Sequence, residues 1–519
     1  MYKRQLLYLP AAFQRDLHWN EEMKYVEVAK EMHDTGNWLV PHFGGEIYSH
    51  KPPFYFWLLN FNRFLFGNYS VTAVVLASLI PGILIALLTF YWGSLNFNLK
   101  YGFLSGLILM TAFYFFALSI TVRMDHLMGL FIISALFSFY LGYSSAAENK
   151  KKFYYLIYVF MALSTWIKGP AGFLIPLIVI PVFLLIQKDT GEFKNLELKK
   201  GALIFAAAIL LWLVPALLKG GKDYAYELLI VQTFGRTVNS FAHQRPVYYY
   251  LETFSFTFLP WSFFLYSAFI YCFRKRKELP WFIKFLLSWF ITTFIFFSLI
   301  SGKLDIYLLP IYPAGAMLAA YLFKETADKK ASKYYIIIPA VITLGFLALG
   351  SFFIPQELNG IALKNLLLPT ISSWILGALI GLILLFKKKY SYISYLVIII
   401  FTVFLLNFSF SAAEPFSQTY TVKPAAEELK ELNSDGIKHI AVYKYDGDSA
   451  VLGVYLDFWP DVVNNPADFL TYLEQEEIAL MVETKDWQSF DGQLVKKIEK
   501  EFEILKFNQN YIIITDYRK

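Results

Sequence analysis

The chain of 519 residues carries a single cysteine, Cys272. A lone thiol excludes an internal disulfide and any cysteine-based metal cluster. Charge is also scarce: Asp, Glu, Lys and Arg make up 17% of the residues and the formal net charge is only +6. With no long Lys/Arg run and no recognition motif, nucleic acid is not an expected partner. No internal repeat is detectable, and the polar tail contains neither a Gly-rich phosphate loop nor a catalytic triad.

What the chain has in excess is apolar and aromatic surface. Hydrophobic residues make up 57% and aromatic residues 19% of the sequence, far more than one soluble core could hide, so the chain reads as a polytopic membrane protein. The many Tyr and Trp rings suit helix ends lying at the lipid interface. About twelve apolar runs occur, at 71–94, 102–120, 127–143, 153–167, 171–186, 202–218, 250–273, 281–300, 305–323, 335–354, 366–386 and 392–410. Most are long enough to cross a hydrocarbon core of about 30 Å. The stretch 53–66 is too short, is interrupted by Asn60, Asn62 and Arg63, and reads as a helix lying along the interface. The expected fold is mostly α, with a small C-terminal α/β domain.

Loop charge sets the expected orientation. Lys150 to Lys152, the segment 188–200, Arg274 to Lys277, the segment 324–333 and Lys387 to Lys389 fall on every second loop, which the positive-inside rule assigns to the cytoplasm. Residues 1–70 and the tail after 410 then face outward. Since no spanning helix precedes Tyr69, a further transmembrane helix before this start is expected, thirteen in all. Three regions follow: an extracytoplasmic first loop with juxtamembrane helices (1–70), a transmembrane domain (71–410) and a soluble extracytoplasmic α/β domain (411–519). In the last, 424–432 and 466–474 read as helices, and 439–443, 478–482, 504–507 and 511–514 as strands.

An ionisable group at the bilayer costs about 2.5–3.5 kcal/mol on insertion scales, so those that persist are functional candidates. Glu21, Glu22, Lys24, Lys51, Arg123, Asp125, Lys168, Lys303 and Asp305 are all expected on the outer face. Together they describe cations able to hold an anionic lipid headgroup and a carboxylate at a reacting centre. The competing reading is a lipid or sugar flippase or transporter. It is disfavoured because the charges lie on one side and no paired, broken half-helices occur. His50 and His243, both expected outside, are candidate ligands for a divalent metal together with Glu21 or Glu22.

The ordered motifs resemble a known family. They are the acidic pair Glu21-Glu22 with Lys24-Tyr25, then Gly36-Asn37-Trp38-Leu39-Val40-Pro41, Tyr48, Lys51-Pro52-Pro53, Arg123 with Asp125, Lys168-Gly169-Pro170, Pro260-Trp261-Ser262, and Ser301-Gly302-Lys303 with Tyr307-Leu308-Leu309-Pro310. From about Glu21 onward the chain is similar to the bacterial relatives of protein O-mannosyltransferases that include the lipid A aminoarabinose transferases. These are GT-C glycosyltransferases that use a polyprenyl-phosphate sugar.

The resemblance implies inverting displacement at the anomeric carbon, on the periplasmic face of a bacterial inner membrane, with polyprenyl phosphate leaving. It casts Glu21 and Asp125 as catalytic carboxylates, and Lys24, Lys51, Arg123, Lys168, Lys303 and Tyr307 as donor-phosphate ligands. Glu22, Tyr25 and Tyr48 would contact the acceptor or sugar. The acceptor implied is lipid A or another envelope glycan or lipid; an oligosaccharyltransferase or ligase using a pyrophosphate-linked glycan is the other enzymatic reading. The sequence departs from the family pattern at three places. Glu21 and Lys24 stand where the family carries Asp and Arg, and His50 stands where an acid is common, which points to a different sugar or acceptor.

Overall fold

The computed structural model describes residues 9–17, 19–235, 244–445 and 449–517. Each of the twelve apolar runs is helical over most of its length. Among the described residues, eight helices are long and apolar enough to cross a membrane, or ten when two bent pairs each count as one span. Of the remaining two runs, Ala171–Gln187 is shorter, and Ala147–Lys168 carries Lys150, Lys151 and Lys152 in its first turns.

The bent pairs explain how irregular backbone survives inside an apolar bundle. Leu99–Met110 meets Phe113–Ser119 at 68°, and Tyr249–Thr257 meets Ser262–Arg274 at 118°. The two breaks face each other. Phe113 donates its backbone N–H to the carbonyl of Leu259 at 2.9 Å, and Trp261 Nε1 donates to Thr111 Oγ1 at 2.9 Å. Backbone groups freed at one break are thus taken up at the other, the condition for non-helical chain at membrane depth. Asp305–Ala327 is the central span, 94% buried against 17% for the peripheral Leu198–Gln232. Its Ala314, Gly315, Ala316, Ala319 and Ala320 let neighbouring helices approach closely.

Three arrangements position the candidate site. Helices α1 (Asn20–Thr35) and α2 (Phe54–Phe66) lie before the first long span, α3 (Val71–Asn96). Helix α2 turns its asparagines inward: Asn60 Nδ2 donates to the Ala29 carbonyl at 2.9 Å and Asn62 Nδ2 to the Ala73 carbonyl at 3.0 Å. Its Phe61, Phe64, Leu65 and Phe66 are left exposed. The polar residues that seem to interrupt this segment are therefore its protein-facing side, and the outward face is apolar, as an interfacial helix requires.

Helices α4 (Asp125–Ser144) and α5 (Ala147–Lys168) form a tight hairpin. At 1.5 Å per residue, 20 residues out and 22 back return the chain to its starting level. The N-terminal acid of α4 and the C-terminal lysine of α5 are brought together, each at the helix end whose partial charge favours it.

Beyond the last span, strands β1 (His439–Tyr443), β2 (Asp461–Val463), β3 (Ile478–Glu483), β4 (Glu503–Phe507) and β5 (Tyr511–Thr515) form one sheet in the order β2-β1-β3-β5-β4. Strand β1 pairs in parallel with β2 and β3, while β5 is antiparallel to β3 and β4. Strand β2 and the helix Gly492–Glu501 are absent from the sequence reading.

Candidate active site

Asp125 opens α4 and is fully buried. Lys168 Nζ donates to its Oδ1, and the Arg123 guanidinium lies at 3.6 Å from Oδ2. At that distance Arg123 and Asp125 attract one another without a hydrogen bond. Arg123 Nε and Asp125 Oδ2 are accordingly buried with no hydrogen-bond partner among the described residues. A buried charge-bearing atom without a partner is costly unless a ligand completes it. Lys168 Nζ also stands 5.2 Å over the Tyr307 ring, and Lys51 adds to the positive field at Asp125.

Ser78 holds the arginine loop against α3. It accepts the Arg123 backbone N–H at 2.8 Å and donates to the Arg123 carbonyl at 2.7 Å. Sequence reading passes over Ser78, although a hydroxyl inside an otherwise apolar helix is the signal that could have found it.

Glu21 and Tyr25 occupy one face of α1 at i and i+4 spacing, and the Tyr25 hydroxyl donates to Glu21 Oε2 at 2.9 Å. Burial, reinforced by Glu21, pushes the Tyr25 hydroxyl well above the usual phenol range, so it remains a donor. Glu21 and Tyr25 both act on Arg123 electrostatically, which brings α1 over the Asp125 cluster.

Glu22 is engaged differently. It is fully buried, and its carboxylate takes both Arg15 Nη1 at 2.8 Å and Arg15 Nη2 at 2.5 Å, with the Val122 backbone N–H at 2.7 Å on Oε1. Arg15 also bonds the Ile120 carbonyl. The geometry makes Glu22 a clip between the N-terminal segment and the loop that precedes Asp125. No motif surrounds Arg15, so this pairing has no signature in the sequence. Glu22→Gln should remove the charge that balances a buried guanidinium, at a cost of about 3–5 kcal/mol, read as a lower thermal unfolding temperature in detergent.

Lys24 Nζ stands 4.8 Å over the Phe43 ring. Tyr48 packs against Phe43 and Phe56 and has the His50 ring at 5.0 Å. Lys303 is buried and spends its ammonium on the carbonyls of Arg245 and Ile300 instead of on Asp125. Burial also draws its pKa below the usual lysine value. His243 falls outside the described residues, and among those described no group of three or more His, Cys, Asp or Glu side chains is arranged around a metal position.

Residues 50–218 match the dolichyl-phosphate-mannose-protein mannosyltransferase family. The undecaprenyl phosphate-alpha-4-amino-4-deoxy-L-arabinose arabinosyl transferase 2 of Proteus mirabilis is 28% identical over 329 residues, 62% of this chain and 58% of that protein. The chain thus spans less than two thirds of that curated relative's length. The crystal structure of ArnT from Cupriavidus metallidurans bound to undecaprenyl phosphate shares the fold, with a TM-score of 0.77 at 17% identity over 100% of this chain and 97% of that one. The archaeal oligosaccharyltransferase AglB from Archaeoglobus fulgidus aligns less closely, with a TM-score of 0.54 at 13% identity over 97% of this chain and 72% of that one.

Proposed function

We infer that this chain, a polytopic GT-C glycosyltransferase related to the aminoarabinose transferases, moves a sugar from undecaprenyl phosphate to lipid A or another envelope acceptor. The observation that carries the reading is the buried Asp125 set between Arg123 and Lys168, with Asp125 Oδ2 and Arg123 Nε lacking a hydrogen-bond partner among the described residues. The arrangement suits a phosphate arriving beside a carboxylate. Arg123, Lys168 and Lys51 take the phosphate and stabilise the charge that grows on it as the bond to the anomeric carbon breaks. Tyr307 backs Lys168 with its ring.

Asp125 and Glu21 divide the carboxylate work. Asp125, between two cations, supports positive charge developing on the sugar ring. Glu21, itself exposed in the first turn of α1 and oriented by Tyr25, faces the acceptor. It takes a proton if the nucleophile is a hydroxyl and only positions the acceptor if the nucleophile is an already anionic phosphate. Attack opposite the leaving phosphate inverts the anomeric centre. The alternation of basic loops along the chain supports a site and C-terminal sheet on the periplasmic side of the inner membrane.

The test is direct. Purified protein, given undecaprenyl-phosphate sugars and extracted lipid A, should yield a product heavier by one sugar in mass spectrometry. Transfer of an oligosaccharide would replace this reading with the oligosaccharyltransferase one, and no product across a broad donor panel would overturn both.

A further inference from the structure

The face of α1 opposite the site is held by the C-terminal region. Glu27 follows Tyr25 by two residues, roughly 200° around the helix, and is 2% exposed. Its Oε1 accepts from Trp459 Nε1 at 3.0 Å, while Oε2 is buried without a hydrogen-bond partner among the described residues. One turn on, Lys30 Nζ donates to the carbonyls of Gly453 at 2.6 Å and Leu456 at 2.7 Å, with Asp457 at 3.9 Å.

Contact at Gly453 is close enough that a Cβ there would sit 2.1 Å from Glu27 Oε1. The neighbouring turn joins in. Glu31 Oε1 accepts from the Gly44 backbone N–H at 2.6 Å and Oε2 from that of Gly45 at 3.1 Å. Both glycines have positive φ, and a Cβ on Gly44 would come within 2.9 Å of Ala450 Cβ. That turn leads straight into Tyr48 and Lys51.

We propose that residues 450–459 are a clasp that positions α1 and the Gly44-Gly45 turn, and through them Glu21, Tyr25, Tyr48 and Lys51, over the Asp125 cluster. This rests on the transferase reading for its consequence but not for its mechanics. Glu27, Lys30 and Glu31 are positioning residues in it; none touches the reacting groups.

The clasp carries its own signature. Burial is the main reason that the Glu27 carboxyl rises from 4.5 to about 7, with the Trp459 hydrogen bond and Lys30 opposing and Glu31 and Asp34 reinforcing. The other charged or titratable groups around it are Tyr69 from the chain after α2, and Asp457 with its partner Lys430 from the C-terminal side. A carboxyl whose docked pKa lies above its free value favours docking when protonated. Docking is therefore strongest below about pH 4.5, weakens as pH rises through about 7 and is flat above that. The difference between 4.5 and about 7 caps the change at roughly 300-fold.

The experiment is hydrogen–deuterium exchange of the 20–35 segment in full-length protein in nanodiscs at about pH 5 and pH 8, corrected for intrinsic exchange, alongside kcat for sugar transfer. Wild type should lose protection as pH rises, and Glu27→Gln, which mimics the protonated carboxyl, should remove that dependence. Lys30→Met and Gly453→Ala should lose protection at both pH values and lower kcat roughly 10²-fold, the scale of a misplaced catalytic group, with Lys30→Arg restoring much of both. Unchanged protection in Lys30→Met and a pH slope that persists in Glu27→Gln would overturn the clasp. Protection lost with kcat intact would overturn its positioning role. An inactive wild type with the expected exchange pattern would count against the transferase reading alone. Should Gly453→Ala fail to fold, Glu27→Gln and Lys30→Met still decide the matter.

Discussion

Asp125→Asn should lower kcat for sugar transfer by about 10²–10⁴-fold, the range for removing a carboxylate that acts at the reacting centre, while the donor still binds. The split follows from the charges. Asp125 is fully enclosed between Lys168 and Arg123, so the neutral amide leaves two cations with no carboxylate to share. An incoming phosphate meets less competition for Lys168, and donor affinity holds or rises. What disappears is the negative charge that steadies the sugar as its bond to phosphate breaks. Steady-state kinetics with a fluorescent or radiolabelled donor separate the two effects. A parallel fall in kcat and donor affinity would instead mark Asp125 as a structural ion pair.

Lys168→Met should produce the complementary pattern, with donor affinity and kcat both falling and an overall loss in kcat/KM of about 10²–10³-fold. Methionine keeps the length of the stem and its packing but cannot donate to a phosphate. The remaining partner of Asp125, Arg123, stands at 3.6 Å, too far for a hydrogen bond, so the acid becomes less well held as well. Lys168→Arg should recover part of the activity, because the guanidinium keeps the charge and can lie over the Tyr307 ring as Lys168 does. Recovery would be incomplete, since a planar fork does not reproduce the point contact to Oδ1.

The helices were legible because apolar length is written directly in the sequence. The expected 171–186 and 281–300 become Ala171–Gln187 and Trp281–Leu299. Their bends were not, since hydropathy counts residues and carries no direction. Only Pro260 signals the break near 258–261, and nothing comparable marks Thr111. The meeting of Asp125 with Lys168 could be anticipated from two charges at adjacent helix ends with almost no loop between the helices. Glu22 and Lys303 could not be resolved the same way. Each is charged and each belongs to one of the motifs that carry the resemblance, but their partners are Arg15 in one case and the backbone carbonyls of Arg245 and Ile300 in the other. A carbonyl has no sequence identity. Strand β2 was hidden by its length of three residues, and the helix Gly492–Glu501 by a polar average, although Leu494, Val495 and Ile498 trace a usable stripe.

In the proposed reading, Arg123, Asp125 and Lys168 together hold the donor phosphate. A structure of the wild-type protein with undecaprenyl phosphate tests it most directly. The phosphate should lie against Lys168 Nζ and the Arg123 guanidinium, with the lysine drawn away from Asp125 Oδ1. A phosphate seated elsewhere, for instance at Lys303 and Arg245 with the Asp125–Lys168 pair intact, would contradict this assignment.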